Sequence, residues 1–194
     1  YKYSNFDRSK FTVVGSPNIT SDGVASGFSN SAYISSPFTY ADNLTDYIEE
    51  IKFTTGVDIS TRQAIRYVGV NQFKGLGIII QDEQLSCRVG DGSRWSMVIF
   101  DNISAEKTYI VKFIQTDSLN TFELYSDDKT LIEIKTLSSY IPLLYNSIEI
   151  GNSANWDNTS PFLGSIDLKQ FSIKIDGVEV FSGNKTGIDT IKPD

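Results

Sequence analysis

A tryptophan stands among amide and carboxylate side chains in the last quarter of the chain. Trp156 lies in the stretch Gly151-Asn152-Ser153-Ala154-Asn155-Trp156-Asp157-Asn158. Its ring offers an apolar face on which a sugar ring can stack, and the neighbouring polar groups can hydrogen-bond to hydroxyls. The pattern predicts a saccharide-binding loop in which Trp156 stacks and Asn152, Asn155 and Asp157 hydrogen-bond. The alternative is that Trp156 folds back over the edge of the core.

Two further stretches carry aromatic and polar groups suited to binding. In Arg94-Trp95-Ser96-Met97-Val98-Ile99, period-two alternation places Trp95 on one face with Met97 and Ile99. Such an apolar face favours packing in the core, with ligand binding by Trp95 as the second interpretation. Arg66 and Tyr67 are adjacent and could line a groove, and the alternative for them is a solvated strand.

Catalysis has little support in the residue types present. The chain contains no histidine, which excludes histidine-dependent triads, imidazole acid–base steps and histidine-bound zinc. A pair of carboxylates on one face could still cleave glycosidic bonds. The adjacent Glu49 and Glu50 point to opposite faces of their strand and fail that requirement. We therefore expect a domain that is not an enzyme, and a degenerate hydrolase remains a minor alternative.

The charge balance and the hydrophobic pattern exclude other partners. Asp and Glu number 24 against 17 Lys and Arg, for a net charge of −7, and no basic run occurs. An acidic surface repels phosphate backbones, which argues against nucleic acid. No apolar run approaches the roughly 18 residues needed to insert into a membrane. The single cysteine, Cys87, allows no internal disulfide and is expected to be a small buried residue.

No cofactor is required by any motif, but calcium is an open alternative. Calcium takes several hard oxygen ligands, and the carboxylates of Asp22, Asp157 and Asp167 are candidates. No loop has the ligand spacing of an EF-hand. A calcium ion here would be structural as readily as functional.

The elements that must position these residues are β-strands. The runs Thr108–Phe113 and Gln170–Ile175 alternate apolar and polar side chains, the period of a strand with one face on a core. Asp176-Gly177, Ser126–Lys129 and Asp91-Gly92-Ser93 each separate two such runs and predict hairpins. About a dozen short strands point to an all-β sandwich or barrel. For residues 58–70 two interpretations remain open: one short helix, or a strand preceded by a polar segment.

Two segments resemble a known family. The opening Phe11-Thr12-Val13-Val14-Gly15-Ser16-Pro17 with Asp22-Gly23-Val24-Ala25-Ser26-Gly27-Phe28 is similar to the first strands of concanavalin A-like lectin/glucanase sandwiches of the laminin-G-like type. The segment 161–173, with Phe162-Leu163-Gly164-Ser165-Ile166-Asp167, resembles their last long strand. The family's glucanase members use a Glu-x-Asp-x-x-Glu strand, which this sequence lacks.

The resemblance implies a jelly roll of two antiparallel sheets. We expect residues 1–194 to form one such domain of a longer polypeptide, with a core from about residue 11 to about residue 181 and frayed ends at 1–8 and 186–194. Its relatives are often lectins, carbohydrate-binding modules or phage tail proteins. The resemblance thus implies a glycan partner and an extracellular, cell-surface or virion location. The second hypothesis is a structural or receptor-binding domain of a phage tail or surface fibre that contacts protein.

Overall fold

The described part of the chain is built almost wholly from antiparallel strands. The computed structural model describes residues 6–39, 46–68, 74–116, 119–138, 147–153 and 159–184. A short 3₁₀ helix, Arg8–Lys10, precedes the strands. In chain order the strands are β1 (Thr12–Val14), β2 (Asn18–Ile19), β3 (Val24–Ser26), β4 (Tyr33–Thr39), β5 (Tyr47–Thr54), β6 (Gln63–Val68), β7 (Lys74–Gln81), β8 (Gln84–Asp91), β9 (Trp95–Phe100), β10 (Thr108–Gln115), β11 (Leu119–Ser126), β12 (Leu131–Ser138), β13 (Ser147–Ile150), β14 (Ser165–Ile175) and β15 (Val178–Ser182).

The strands form two sheets that face one another as a sandwich. The seven-stranded sheet has the order β1-β4-β13-β6-β7-β8-β9. The eight-stranded sheet has the order β12-β11-β10-β5-β14-β3-β2, and β15 pairs with β14 beside that path. Strands β9 and β12 end their respective sheets and lie against each other. The predicted all-β jelly-roll sandwich of two antiparallel sheets is confirmed.

The core lies between the sheets and follows the alternation of the strands. On β5 the buried positions are every second residue, including Tyr47, Ile51 and Phe53. Aromatic rings from both sheets and their loops meet in the interior. The Phe53 and Phe162 rings meet edge to face at 6.0 Å, and the Phe113 and Phe122 rings stack at 4.8 Å. Burying such side chains removes apolar area from water, which is the main driving force for folding.

The three predicted hairpins are confirmed. Asp176 and Gly177 both have positive φ, 50° and 75°, as a two-residue turn between β14 and β15 requires. The turn Ser126–Lys129 joins β11 to β12. The Ser126 amide donates a hydrogen bond to the Thr130 carbonyl at 3.0 Å and closes this turn. Between β8 and β9, the Asp91 carboxylate accepts hydrogen bonds from two backbone amides of the turn.

The structure also decides two open points of the sequence. Residues 63–68 form strand β6, so the strand alternative for this region is correct and the helix is wrong. All six side chains of β6 are buried, so the solvated strand is wrong too.

At the beginning of the chain, the expected fraying at 1–8 extends too far. Phe6 is buried and forms a β-bridge with Asn184, and the Asp7 amide donates to the Gly183 carbonyl at 3.0 Å.

An ion pair crosses the interior and joins the two sheets. Glu49 lies on β5 of the eight-stranded sheet, and Arg66 lies on β6 of the seven-stranded sheet. Their side chains are 1% and 0% exposed. The Arg66 Nε and Nη2 atoms donate to the two carboxylate oxygens of Glu49 at 2.6 and 2.5 Å. This two-pronged geometry is the strong form of the arginine–carboxylate contact.

Further hydrogen bonds complete the surroundings of this pair. Arg66 Nη1 donates to the Leu76 carbonyl at 2.5 Å, and the Tyr47 hydroxyl donates to Glu49 at 2.6 Å. Buried charges are tolerated only when such partners replace the lost water. Cys87 lies close enough for the positive charge of Arg66 to act on its thiol. Burial nevertheless raises the pKa of the Cys87 thiol, which confirms the expected buried residue.

We expect Glu49→Ala to lower the free energy of unfolding by about 3–5 kcal/mol, because Arg66 would remain buried without its counter-charge. Urea unfolding followed by circular dichroism measures this. The matched control is Asp127→Ala, which removes the exposed Lys52–Asp127 ion pair of 2.6 Å and is expected to cost less than about 1 kcal/mol. Equal effects of the two substitutions would contradict a structural role for the buried pair.

Candidate functional site

The outer face of the seven-stranded sheet carries a cluster of aromatic and polar groups over β6 to β9. On β8 the alternate residues Leu85, Cys87 and Val89 point into the core. The intervening residues Ser86 and Arg88 therefore point to the outer face. Alternation along this strand thus places a polar stripe on the outside of the sheet.

One row of residues crosses the sheet on this face. The pairing registers place Glu149 of β13 beside Tyr67, Tyr67 beside Gly77 of β7, Gly77 beside Arg88, and Arg88 beside Met97 of β9. Neighbouring strands lie about 4.8 Å apart, so Glu149 and Arg88 are about 14 Å apart along the row. The row therefore places a buried carboxylate, a buried aromatic ring and a half-buried guanidinium in order across the sheet.

Glycines let the aromatic rings lie close to the backbone. A Cβ atom on Gly77 would come within 3.1 Å of the Tyr67 ring, so that ring occupies the space left by the missing side chain. Trp95 pairs with Gly90, which in turn pairs with Gly75. The Tyr67 and Trp95 rings are 6.1 Å apart between centroids and inclined at 51°. Two aromatic rings thus lie side by side on a shallow part of the sheet.

Exposure differs between these side chains. Tyr67 is buried, whereas Trp95 and Arg88 are half-buried and Met97 is 43% exposed. Tyr67 therefore packs against the ring of Trp95 and is itself shielded from solvent. Trp95, Arg88 and Met97 offer the surface that a ligand can reach.

Arg88 is held in place by its neighbours. Its Nε atom donates to the Ser86 hydroxyl at 3.0 Å. Burial, followed by the nearby charge of Arg62, lowers the pKa of Arg88, and Tyr67 acts in the opposite direction. Arginine stays protonated in spite of such a shift. No carboxylate among the described residues forms an ion pair with Arg88, so its remaining N–H groups can serve a ligand.

The outer face of the eight-stranded sheet is less suited to a ligand. A cavity of about 120 Å³ there is lined by Glu50, Ile110, Lys112, Tyr125 and Lys129. The polar groups around this cavity bind one another. The Tyr125 hydroxyl donates to Glu123 at 2.6 Å, which raises the pKa of Tyr125 to about 12. The Lys112 ammonium also lies 3.7 Å from the same carboxylate.

The structure brings two of the sequence-predicted site residues together and separates a third. Tyr67 and Trp95 meet on the outer face, and the preference for core packing of Trp95 was wrong. On β9 the residues facing the core are Val98 and Phe100, so Trp95 lies on the outside with Met97. Arg66 lies in the interior, bound to Glu49, and is not part of the outer-face cluster. Its role in ligand binding stays a prediction.

The loop around Trp156 is described only at its beginning. Trp156, Asn155 and Asp157 lie outside the described residues. Asn152 is fully buried, and its amide is used within the protein. The Nδ2 atom donates to the Ser29 carbonyl at 3.1 Å, and Oδ1 accepts from the Ser153 amide at 2.7 Å. Binding by this loop remains a prediction, and the visible contacts of Asn152 position the loop.

The sequence did not single out Arg88 or Ser86. The signal was present, because Gln84-Leu85-Ser86-Cys87-Arg88-Val89 alternates polar and apolar residues along β8. Pairing β8 with β7 and β9 brings this polar side beside Tyr67 and Trp95. That neighbourhood depends on the order of strands in the sheet, which the sequence pattern does not define.

The described ranges show neither a cluster of metal ligands nor a helix able to span a membrane. There, no three or more His, Cys, Asp or Glu side chains come together to hold a metal ion. Asp157, one of the three candidate calcium ligands, lies outside those ranges, so calcium stays an untested prediction. Among the helical segments that the structure describes, none has the length and apolar character required to cross a membrane.

Comparison with known proteins shows the fold. No family model matches the sequence, and no curated protein matches it. Solved structures that resemble the chain include domain 4 of AbnA, a GH43 extracellular arabinanase from Geobacillus stearothermophilus, in complex with arabinotriose. That match has 14% identity and a TM-score of 0.60, and it covers 81% of this chain and 79% of the other.

Two other matches belong to longer chains. Domains LG4-5 of the mouse laminin α1 chain match with 13% identity and a TM-score of 0.61, over 91% of this chain and 47% of theirs. The enzymatically active domain of tailspike protein 2 from bacteriophage CBA120 matches with 9% identity and a TM-score of 0.60, over 86% of this chain and 28% of its own. The chain thus spans less than half the length of these two proteins.

The class defined by the fold is the concanavalin A-like jelly-roll sandwich. The arrangement of two antiparallel sheets, shared with the laminin, arabinanase and tailspike structures, shows this fold. The resemblance seen in the opening segments and in the last long strand is confirmed. At these low identities the likeness concerns the fold, and function must be argued from the residues of this chain.

We expect Asn152→Ala to lower the free energy of unfolding by about 1–3 kcal/mol, because the Ser29 carbonyl and the Ser153 amide would lose buried hydrogen-bond partners. Thermal or urea unfolding measures the effect. Asn102→Ala is the matched control, since Asn102 is exposed and outside the strands, and it should change stability by less than about 0.5 kcal/mol. An unchanged stability of Asn152→Ala would leave ligand contact as the better account of this residue.

Proposed function

We propose that this chain is a non-catalytic carbohydrate-binding domain that holds a saccharide against the outer face of its seven-stranded sheet. The observation that carries the proposal is the juxtaposition of Trp95, Tyr67 and Arg88 on one rigid surface. Sites on packed strands hold side chains more precisely than sites on loops. The fold shared with an arabinanase domain in complex with arabinotriose supports this reading.

Each side chain has a distinct task in the proposed site. Trp95 offers a half-exposed ring face for the C–H groups of a sugar, and Tyr67 fixes the orientation of that ring. Arg88 donates hydrogen bonds to sugar oxygens from a position fixed by Ser86. Stacking supplies apolar contact area, and the hydrogen bonds of the guanidinium fix the orientation of the ligand. This is the usual division of roles in a ligand site.

The Trp156 loop remains part of the proposal as a second contact. In this form Trp156 would stack on another sugar unit, with Asn155 and Asp157 as hydrogen-bond partners. The loop begins at Gly151 and Asn152, directly after β13, which is the neighbour of β6 in the sheet. A saccharide of several units could therefore contact both tryptophans.

The wider context belongs to the same proposal. The domain would act as one part of a longer polypeptide located outside the cell, on a cell surface or on a virion. Its binding partner would be a cell-surface or plant polysaccharide. A structural calcium ion would involve Asp22 or Asp167, both of which lie near the junction of β3 and β14.

The two tryptophans allow a direct test, because the chain contains only these two. Trp156→Phe leaves Trp95 as the single indole fluorophore, and Trp95→Phe leaves Trp156. Soluble polysaccharides that the parent chain binds in a glycan-array screen are titrated into each variant. We expect saturable fluorescence changes in Trp156→Phe, because the ligand covers the half-exposed Trp95 ring.

Affinity measurements on alanine variants complete the test. Trp95→Ala and Arg88→Gln are expected to weaken binding by about tenfold or more, as removal of a central contact commonly does. Val178→Ala is the control, because Val178 is exposed on β15 of the other sheet. If Trp95→Ala bound every positive glycan as tightly as the parent, the outer-face site would be wrong. If no glycan bound the parent, the function itself would be wrong.

A second candidate function is a structural or receptor-binding domain of a phage tail or surface fibre that contacts protein. The fold shared with a bacteriophage tailspike favours it. A glycan screen without any positive result, together with a stable trimer in light scattering, would support this candidate over the first.

A further inference from the structure

Exposed apolar side chains gather along one edge of the sandwich. Of the ten large hydrophobic residues that are exposed in the described ranges, five lie on the adjacent end strands β9 and β12. They are Met97, Ile99, Leu131, Ile132 and Ile134. A sixth, Leu119 of β11, pairs with Ser138 of β12. The two end strands thus carry a larger share of the exposed apolar side chains than any other part of the described surface.

Strand β12 also has a backbone edge with no strand partner in its own sheet among the described strands, although β9 of the opposite sheet packs nearby and the Lys135 ammonium lies 5.5 Å from the centroid of the Phe100 ring. It is the last strand of the eight-stranded sheet, and among the described strands only β11 pairs with it. It contains eight residues and no proline. An end strand of this kind presents unpaired N–H and C=O groups to which another strand can bind. The exposed fractions of Ile132 and Ile134, 38% and 50%, show that apolar side chains accompany this edge.

The sequence of β12 is complementary to itself in one antiparallel register. The segment reads Leu131-Ile132-Glu133-Ile134-Lys135-Thr136-Leu137. When two copies run antiparallel with Ile134 opposite Ile134, each Glu133 faces a Lys135 of the other strand. The strand is regular from Glu133 to Ser138, and an irregularity in its pairing with β11 lies between Leu131 and Glu133. Opposite charges directly across an antiparallel pair stabilise it, and like charges destabilise it.

Other registers are selected against. A shift that places Glu133 opposite Glu133, or Lys135 opposite Lys135, brings like charges together. Parallel pairing in register places Glu133 opposite Glu133 and also Lys135 opposite Lys135. A shift by one residue exchanges the faces of the strand and opposes Ile134 to a charged residue. The charge pattern therefore specifies one partner strand and one register, and that partner is the same segment of another chain.

We propose that two copies of this chain associate by antiparallel pairing of their β12 strands about Ile134. The two eight-stranded sheets then form one continuous sheet across a two-fold axis. Within one chain the Lys135 ammonium lies 3.0 Å from the Glu133 carboxylate, and pairing replaces that contact with two contacts between chains. The interface is small, below about 1,200 Å², so association is weak and depends on concentration.

Sedimentation equilibrium over a range of concentrations tests the proposal. The parent chain dimerises in the micromolar range. Glu133→Lys and Lys135→Glu each place like charges across both pairs and weaken association at least tenfold. The double variant Glu133→Lys/Lys135→Glu restores opposite charges and regains dimerisation. Far-UV circular dichroism confirms that each variant is folded.

Mixing the two single variants gives the sharpest result. In a mixed dimer the lysines at 133 and 135 of one chain face the glutamates at 135 and 133 of the other, so the mixture associates although neither variant does alone. Glu179→Lys, a charge reversal on the exposed β15 hairpin, is the control and dimerises like the parent. Ile134→Lys, which places a like charge on the two-fold axis, is a second disruptive variant.

Three outcomes overturn the proposal. They are a parent that remains monomeric at millimolar concentration, single variants that dimerise as tightly as the parent, and a mixture that fails to associate. The proposal does not depend on glycan binding, because the reversed charges Glu133 and Lys135 lie on β12, whereas the proposed glycan contacts Trp95, Tyr67 and Arg88 lie on β9, β6 and β8. Loss of dimerisation in the single variants leaves their affinity for any array-positive glycan unchanged.

Discussion

The contact between Glu49 and Arg66 constrains the whole sandwich. Two sheets packed only through aliphatic and aromatic side chains could slide relative to each other with little change in buried area. A two-pronged ion pair permits one relative position, because both carboxylate oxygens must meet the guanidinium at hydrogen-bond distance. The same arginine also binds the Leu76 carbonyl of β7, so the pair fixes the position of β5 against two strands of the opposite sheet.

The outer-face cluster depends on this arrangement. Tyr67 follows Arg66 directly in β6, so the residue that holds the interior together is adjacent to the one that supports Trp95 outside. Alternation sends the two side chains to opposite faces of the sheet. Cys87 and Arg88 have the same relation on β8, with a buried thiol beside a half-buried guanidinium. The surface groups thus lie on strands whose other side is fully packed, so a ligand bound at the proposed site would meet a rigid platform.

The sequence predicted the fold well because strand alternation and turn chemistry are local. Asp176 and Gly177 adopt positive φ for reasons contained in the two residues themselves. Trp95 shows where local reasoning fails. The side of β9 that carries Trp95, Met97 and Ile99 looks at least as apolar as the side with Val98 and Phe100. The register with β8 decides, because Val98 pairs with Cys87 and Phe100 with Leu85 on the core side, so the first group faces outward. Arg66 fails for a related reason, because its partner Glu49 is distant in sequence and belongs to the other sheet.

The bridge between Phe6 and Asn184 brings the two ends of the described chain to one place on the surface. Lys10 binds the Ser182 and Asn184 carbonyl groups there, so the first and last segments are tied together as well as adjacent. A domain with neighbouring ends can be inserted into a loop of a host protein while hardly separating the two sides of that loop. The sandwich is therefore transferable as a unit. It can sit within another polypeptide as a side branch.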